Sequence, residues 1–128
     1  MEDKLVRIIE GAAELFGRNG IRCVSMDDIS RHLGISKKTT YQYVDNKKDL
    51  LLKISEYFTA EFCKKMEEIA SKRLNAIDTL LEISQILYQH WQKFKPALSF
   101  EMKKYYPEIS EMISETNYKY TYQGVKQN

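Results

Sequence analysis

Between Val24 and Leu50 the chain reads VSMDDISRHLGISKKTTYQYVDNKKDL, and the spacing of caps, glycine and apolar residues there leaves few folds open. Ser25 with Asp28 three residues on has capping-box spacing, in which each side chain takes the other residue's backbone N–H at a helix start. Ile29 and Leu33, four apart, lay an apolar stripe along the helix that follows. Gly34 supplies the turn out of it, and Ile35 plugs the angle with the next helix. Ser36 caps that helix, whose first turn holds Lys37, Lys38 and Thr39. Asn46 and Asp49 repeat the capping-box spacing and open a third helix. Two short helices at a steep angle about a glycine turn, followed by a long one, make a helix-turn-helix.

The flanking segments extend this into an all-α chain. Leu5, Ile8, Ile9, Ala12, Leu15 and Phe16 recur at helical spacing, so a first helix is expected from about Asp3 to Arg18, stopped by Asn19-Gly20. Ile21 and Val24 then tie the connection to the core, with Phe16 at its centre. A membrane-surface role for this helix is disfavoured, because Glu2, Asp3, Glu10 and Glu14 share its polar face with Lys4 and Arg7. From Lys47 to about Lys72 a long helix is expected, roughly 39 Å at about 1.5 Å per residue. Its buried side is marked by Leu50, Leu51, Ile54, Tyr57, Phe58, Phe62, Met66, Ile69 and Ala70.

Leu74-Asn75 is the expected corner, with Asn75 as a cap. The next helix, Ala76 to about Lys93, carries Ile77, Leu80, Leu81, Ser84, Leu87, Tyr88 and Trp91 on one face. Pro96 and Pro107 suit the first turns of two more helices, near 97–104 and 107–121. The tail TNYKYTYQGVKQN alternates tyrosine with polar residues and also suits a strand; with no partner strand in view, a fraying helix is preferred. The resulting division is 1–50, a three-helix unit, and 51–128, a helical domain joined to it by the long helix with no Gly/Ser/Pro linker.

Charge narrows the function by its position. The 128 residues carry a net charge of only +2, yet Arg31–Lys48 holds Arg31, Lys37, Lys38, Lys47 and Lys48 against one acid, Asp45. Beside a capped helix-turn-helix such a cluster points to nucleic acid; a solvated helix face is the competing reading. Cys23, Cys63, His32 and His90 stand apart without metal-ligand spacing, and no metal or cofactor is expected. A charged N-terminus, no apolar run of membrane-spanning length and unpaired thiols fit a soluble cytoplasmic protein. There is no nucleophile-elbow serine, Cys–His pairing or phosphate-binding glycine loop, so catalysis is disfavoured.

SMDDISRHLGISKKTTYQYVDNKKDLL resembles the N-terminal signature of TetR-family transcriptional regulators, and AAELFGRNGIRCVS resembles that family's first helix and its exit. The resemblance is dense from Leu5 to Leu52 and looser beyond, where KKYYPEISEMI is similar to a tyrosine-proline-glutamate element of some regulatory domains. It implies an all-α homodimer that binds a near-palindromic double-stranded DNA operator, most often as a repressor released by a small-molecule effector. It also implies roles for single residues. Ser25 and Met26 occupy phosphate-contact positions, and Tyr41 and Tyr43 match a pair that meets the sugar-phosphate backbone. Ser36, Lys37, Lys38, Thr39 and Gln42 belong to the recognition helix, the last four facing base edges. Lys47 matches a phosphate anchor, where free N–H groups and the helix dipole already favour an anion.

A lysine in the first turn of a helix in the major groove reaches guanine O6 and N7. Lys37 and Lys38 point about 100° apart, so they reach different parts of a duplex. The chain departs from the family at Lys38, often a small residue or proline, at Thr40, usually a large aliphatic, and at Val44, often phenylalanine. The last two lighten the core under the recognition helix. Tyr41 also reads as a packing residue, and Arg31 and His32 as solvent-facing. The chain is shorter than most members; a fragment lacking dimerisation helices is the preferred reading, and an unusual mode of dimerisation or a short relative are the others.

Tyr88, Trp91, Phe94, Phe100, Met102 and Tyr105 could line an aromatic effector pocket, or form ordinary core at helical spacing. The alternative to a DNA-binding regulator is a helical ligand-sensing or protein-interaction module without direct operator binding.

Overall fold

The computed structural model describes residues 3–93 and 96–115; of these, the side chains at 90, 91, 93, 96 and 97 are not described. Helix α1 (Asp3–Asn19) buries Ile8, Ile9, Ala12, Leu15 and Phe16, the stripe its periodicity marks. It stops at Gly20, whose φ of +88° is the left-handed conformation that glycine adopts without a Cβ penalty. The Gly20 N–H donates to the Phe16 carbonyl at 2.8 Å.

Helix α2 (Met26–Leu33) begins at the expected capping box. Asp28 N–H donates to Ser25 Oγ at 3.1 Å, and Ser25 N–H donates to Asp28 Oδ2 at 2.9 Å. Gly34, at φ +69°, closes the helix, and Ile35 N–H reaches back to the Ser30 carbonyl at 3.0 Å. Helix α3 (Lys37–Tyr43) is capped by Ser36, whose Oγ accepts the Thr39 N–H at 3.1 Å.

Helix α4 (Lys47–Ser71) shows one difference from expectation at its start. Asn46 Oδ1 accepts the Asp49 N–H at 2.8 Å, but Asp49 Oδ2 accepts from Asp45 N–H at 2.9 Å rather than from Asn46. The extended backbone of Asn46 brings the preceding amide within reach. Lys53 Nζ also pairs with Asp49 at 2.6 Å. Farther along, Leu50, Leu51, Ile54, Phe62 and Ile69 are buried as expected; Ser55 and Cys63 join them, whereas Ala70 is exposed. The corner after α4 passes through Arg73 at φ +51°, and Asn75 caps the next helix by accepting the Asp78 N–H at 2.8 Å.

Helix α5 (Ala76–Lys93) packs along α4 with the opposite side from the one its strongest apolar stripe suggests. Thr79, Ile83 and Ile86 are half-buried, and Glu82 accepts an ion pair from Lys72 at 3.1 Å. Ile77, Leu80, Leu81, Leu87 and Tyr88 stay exposed, Ile77 at 72%. Two apolar stripes run along this helix, and α4 covers the narrower one.

Helix α6 (Pro96–Tyr105) and a last described helix, α7 (107–115), return to the first unit. Leu98 and Ile109 are buried in one cluster with Phe16, Ile21, Ile29, Val44, Leu50 and Ile54. The core therefore draws on α1, α2, α4, α6 and α7. Every described secondary-structure element is a helix.

Candidate nucleic-acid interface

The orientation of α3 follows from its one buried residue. Thr40 is fully buried, with its Oγ1 2.8 Å from Ser30 Oγ and donating to the Ser36 carbonyl at 3.1 Å. Ser30 Oγ, 3.1 Å from the Met26 carbonyl, has one proton to share between that carbonyl and Thr40 Oγ1. Two hydroxyls thus fill the place expected to be thinly packed, and each is satisfied, as a buried polar group requires. With Thr40 and Val44 inward, the i,i+4 pairs Lys37/Tyr41 and Lys38/Gln42 share the outward face, all four exposed.

The other expected contact residues surround that face. Ser25 and Ser36 are exposed caps at the starts of α2 and α3. Thr39 is half-buried, with its hydroxyl 2.9 Å from Ser36 Oγ. Met26 and Tyr43 are half-buried against the core, so each offers only part of its side chain to a partner. Tyr41 is 48% exposed, which favours a surface contact over packing. Arg31 and His32 are exposed.

Lys47 is half-buried, its ammonium 5.9 Å from the centroid of the Phe16 ring. Burial pushes its pKa below the usual lysine range, while Glu101, Cys23 and Asp28 pull it back up. An incompletely solvated cation at a helix N-terminus gains from an arriving anion. Asp28 is held below the usual carboxylate range, chiefly by the Ser25 N–H and then by the Ser25 hydroxyl.

Among the described residues, two of the five clustered cations form ion pairs with acids. Lys37 Nζ lies 2.7 Å from Asp27 Oδ1, and Lys48 pairs with Glu108 of α7. The Lys37 pair is solvent-exposed on both sides, a geometry worth about 0–1 kcal/mol, so it yields readily to a stronger acceptor. Lys38 remains on the exposed face.

Sequence reasoning missed the residues that hold this unit from behind. Glu101 of α6 accepts the backbone N–H of Ile21 and of Arg22, and Arg22 Nη1 donates to Tyr105 Oη at 3.0 Å with the guanidinium 5.3 Å above that ring. Partners about eighty positions apart leave no local pattern; the only hint was the isolated acid in SFEMKKYY.

The expected aromatic pocket is not assembled by the residues described. Tyr88 is 66% and Phe100 68% exposed, and Tyr105 is engaged with Arg22. Phe94 and the side chain of Trp91 lie outside the described residues. Met102 does line a cavity of about 240 Å³, but that cavity lies among α1, α4, α6 and α7. Helical spacing alone aligned these aromatics without fixing which side of α5 faces inward. Cys23 is exposed and Cys63 is buried. Among the described residues no helix is long and apolar enough to cross a membrane.

Residues 8–54 match the family described as bacterial regulatory proteins, tetR family. The chain is 29% identical over 77 residues to the fatty acid metabolism regulator protein of Bacillus subtilis (strain 168), covering 60% of this chain and 40% of that protein. It is 27% identical over 104 residues to an uncharacterized HTH-type transcriptional regulator, YuxN, of the same organism, covering 81% of this chain and 36% of that protein. The chain thus spans well under half the length of these two relatives. Among solved structures, the fatty acid degradation regulator FadR from Bacillus halodurans matches with a TM-score of 0.78, over 94% of this chain and 64% of that one. At 19% identity this likeness establishes the fold.

Proposed function

Because residues 8–54 match the family described as bacterial regulatory proteins, tetR family, we propose that this chain is a sequence-specific DNA-binding transcriptional regulator, a repressor released by a small molecule. The observation that carries this reading is the outward face of α3. Thr40 is pinned inward by Ser30, and Lys37, Lys38, Tyr41 and Gln42 stand together on the opposite side. Laid in the major groove, that face gives Lys37, Lys38, Thr39 and Gln42 access to base edges. Ser25, Met26, Ser36, Tyr41, Tyr43 and Lys47 contact sugar and phosphate and set the register.

Residues 1–50 are the DNA-binding domain and 51–128 the regulatory part, in a protein that works as a cytoplasmic homodimer on a near-palindromic operator and has no catalytic role. The uncovered apolar face of α5 supports pairing with further protein, because soluble monomers rarely expose contiguous apolar patches. The name of the fatty acid metabolism regulator protein makes acyl compounds the first effectors to screen. A footprint on DNA upstream of the chain's own gene tests the reading. Two protected half-sites about one helical turn apart are expected. Uniform protection, or none, contradicts it.

A further inference from the structure

We propose that Arg22, Lys104 and the Tyr105 hydroxyl form a phosphate-contact site that carries the DNA interface beyond the helix-turn-helix and onto the end of α6. The inference rests on the DNA-binding reading and extends it to residues outside the recognition face. The guanidinium of Arg22 and the ammonium of Lys104 lie 5.3 and 5.4 Å from the centroid of the same Tyr105 ring. All three residues are exposed. Among the described residues neither cation forms an ion pair, whereas Arg18, Lys37, Lys48, Lys53 and Lys72 all do.

Two cations gathered near one ring repel each other, and the ring's quadrupole offsets that only in part; an arriving anion removes the rest. The donors left over suit a phosphate. Arg22 Nη1 donates to Tyr105 Oη at 3.0 Å, which engages one of the five N–H groups of the guanidinium. Because Tyr105 Oη accepts that bond, its own O–H proton remains to be donated. A guanidinium fork, an ammonium and a phenol O–H are all donors that phosphate oxygens accept. The neighbouring acid, Glu101, already accepts the Ile21 and Arg22 backbone N–H groups and lies in the field of Lys47, so its charge is partly offset.

Position selects the backbone of DNA as the source of that phosphate. Arg22 stands three residues before Ser25, the cap of α2 to which a phosphate contact is assigned above, in the bend that Glu101 of α6 holds. Lys47, the anchor at the start of α4, is close enough to Glu101 and Cys23 to feel both charges. The site therefore adjoins the Ser25 and Lys47 positions and belongs to neither α2 nor α3, so it takes backbone flanking the half-site and not base edges. Lys103 and Lys104 also occupy the last turn of α6, where cations offset the helix dipole; that role alone predicts no effect on DNA.

The test is a salt series of anisotropy titrations of the full chain with a duplex of random sequence, so that base reading plays no part. Plotted as log affinity against log salt, the slope is expected to fall by about one in Lys104→Gln and in Arg22→Gln. Lys104→Arg is expected to keep the wild-type slope. Lys64→Gln removes the same charge from an exposed position about 25 Å along α4 from Lys47, and its slope is expected to be unchanged. Arg22→Gln also cuts the tie to Tyr105, so Lys104→Gln, which leaves that hydrogen bond in place, is the deciding variant. A wild-type slope in Lys104→Gln overturns the proposal, as does an equal fall in Lys64→Gln, the mark of net charge alone. A wild-type chain without salt-dependent binding overturns the proposal together with the DNA-binding reading on which it rests.

Discussion

The carboxylate of Glu101 accepts the backbone N–H of both Ile21 and Arg22, at 3.0 and 3.1 Å, in the bend that leads from α1 into α2. Arg22 grips Tyr105 in return, and on the other flank Lys48 of α4 pairs with Glu108 of α7. The helix-turn-helix is therefore held at both its approach and its exit by the last two described helices. A shift of α6 has a direct route to the approach to Ser25, the cap of α2.

Removing the carboxylate tests the first of these links. Glu101→Ala leaves two N–H groups without their charged acceptor and is expected to cost roughly 1–2 kcal/mol, since one of the bonds is solvent-exposed. The urea midpoint should fall, with Glu101→Gln recovering part of the loss. A midpoint unchanged in Glu101→Ala would show that the link carries no stability.

The buried hydroxyl pair makes a second prediction. Thr40→Val keeps the shape but removes one partner of Ser30, and is expected to cost about 1–2 kcal/mol. Ser30→Ala combined with Thr40→Val should cost less than the two singles together, because each single already breaks the contact between the two hydroxyls and the double breaks it only once. A double-mutant cycle by chemical denaturation measures the coupling. Strict additivity would mean the two hydroxyls act independently.

Much of this architecture is legible in the sequence where the determinants are local. Caps at Ser25, Ser36 and Asn75, the stop at Gly20 and the turn at Gly34 all depend on residues within four positions of one another. The inward face of α3 is legible too, but its chemistry is not. Thr40 reads as a defect until Ser30, ten positions away, is seen to pair with it. The side of α5 that meets α4 is illegible because the helix carries two apolar stripes, and packing, not periodicity, decides between them. The Glu101 grip is farther still from local pattern. For the interface, the sequence names the cations but not that Lys37 and Lys48 have partners in Asp27 and Glu108.

Acid should weaken the fold through its caps. Hydrogen bonds from Ser25 hold Asp28 below the usual carboxylate range, and Lys53 and then the Asp45 N–H do the same for Asp49. A carboxylate depressed in the folded state contributes stability above its unfolded value, about 3.9, and loses it as pH falls through the folded value. The melting temperature should therefore fall as the pH drops below about 4. Asp28→Asn should melt lower at pH 7 and flatten that drop; an equally steep drop in the variant would assign the acid sensitivity elsewhere.

On DNA, Lys37 and Lys47 should differ in kind. Lys37→Ala is expected to relax discrimination at particular base pairs by about 1–3 kcal/mol. Lys47→Ala should weaken all sequences alike and lower the salt slope by about one. Competition binding against single-base operator variants separates the two, and identical behaviour would reject the division of roles.

The central claim is that the outward face of α3 reads DNA sequence, and a fluorescence-anisotropy titration over a salt series tests it most directly. The duplexes are the chain's own upstream region and a scrambled sequence of equal composition. The account predicts tighter binding to the upstream duplex, with log affinity falling linearly against log salt. Equal affinity for both duplexes, or an affinity indifferent to salt, would contradict it.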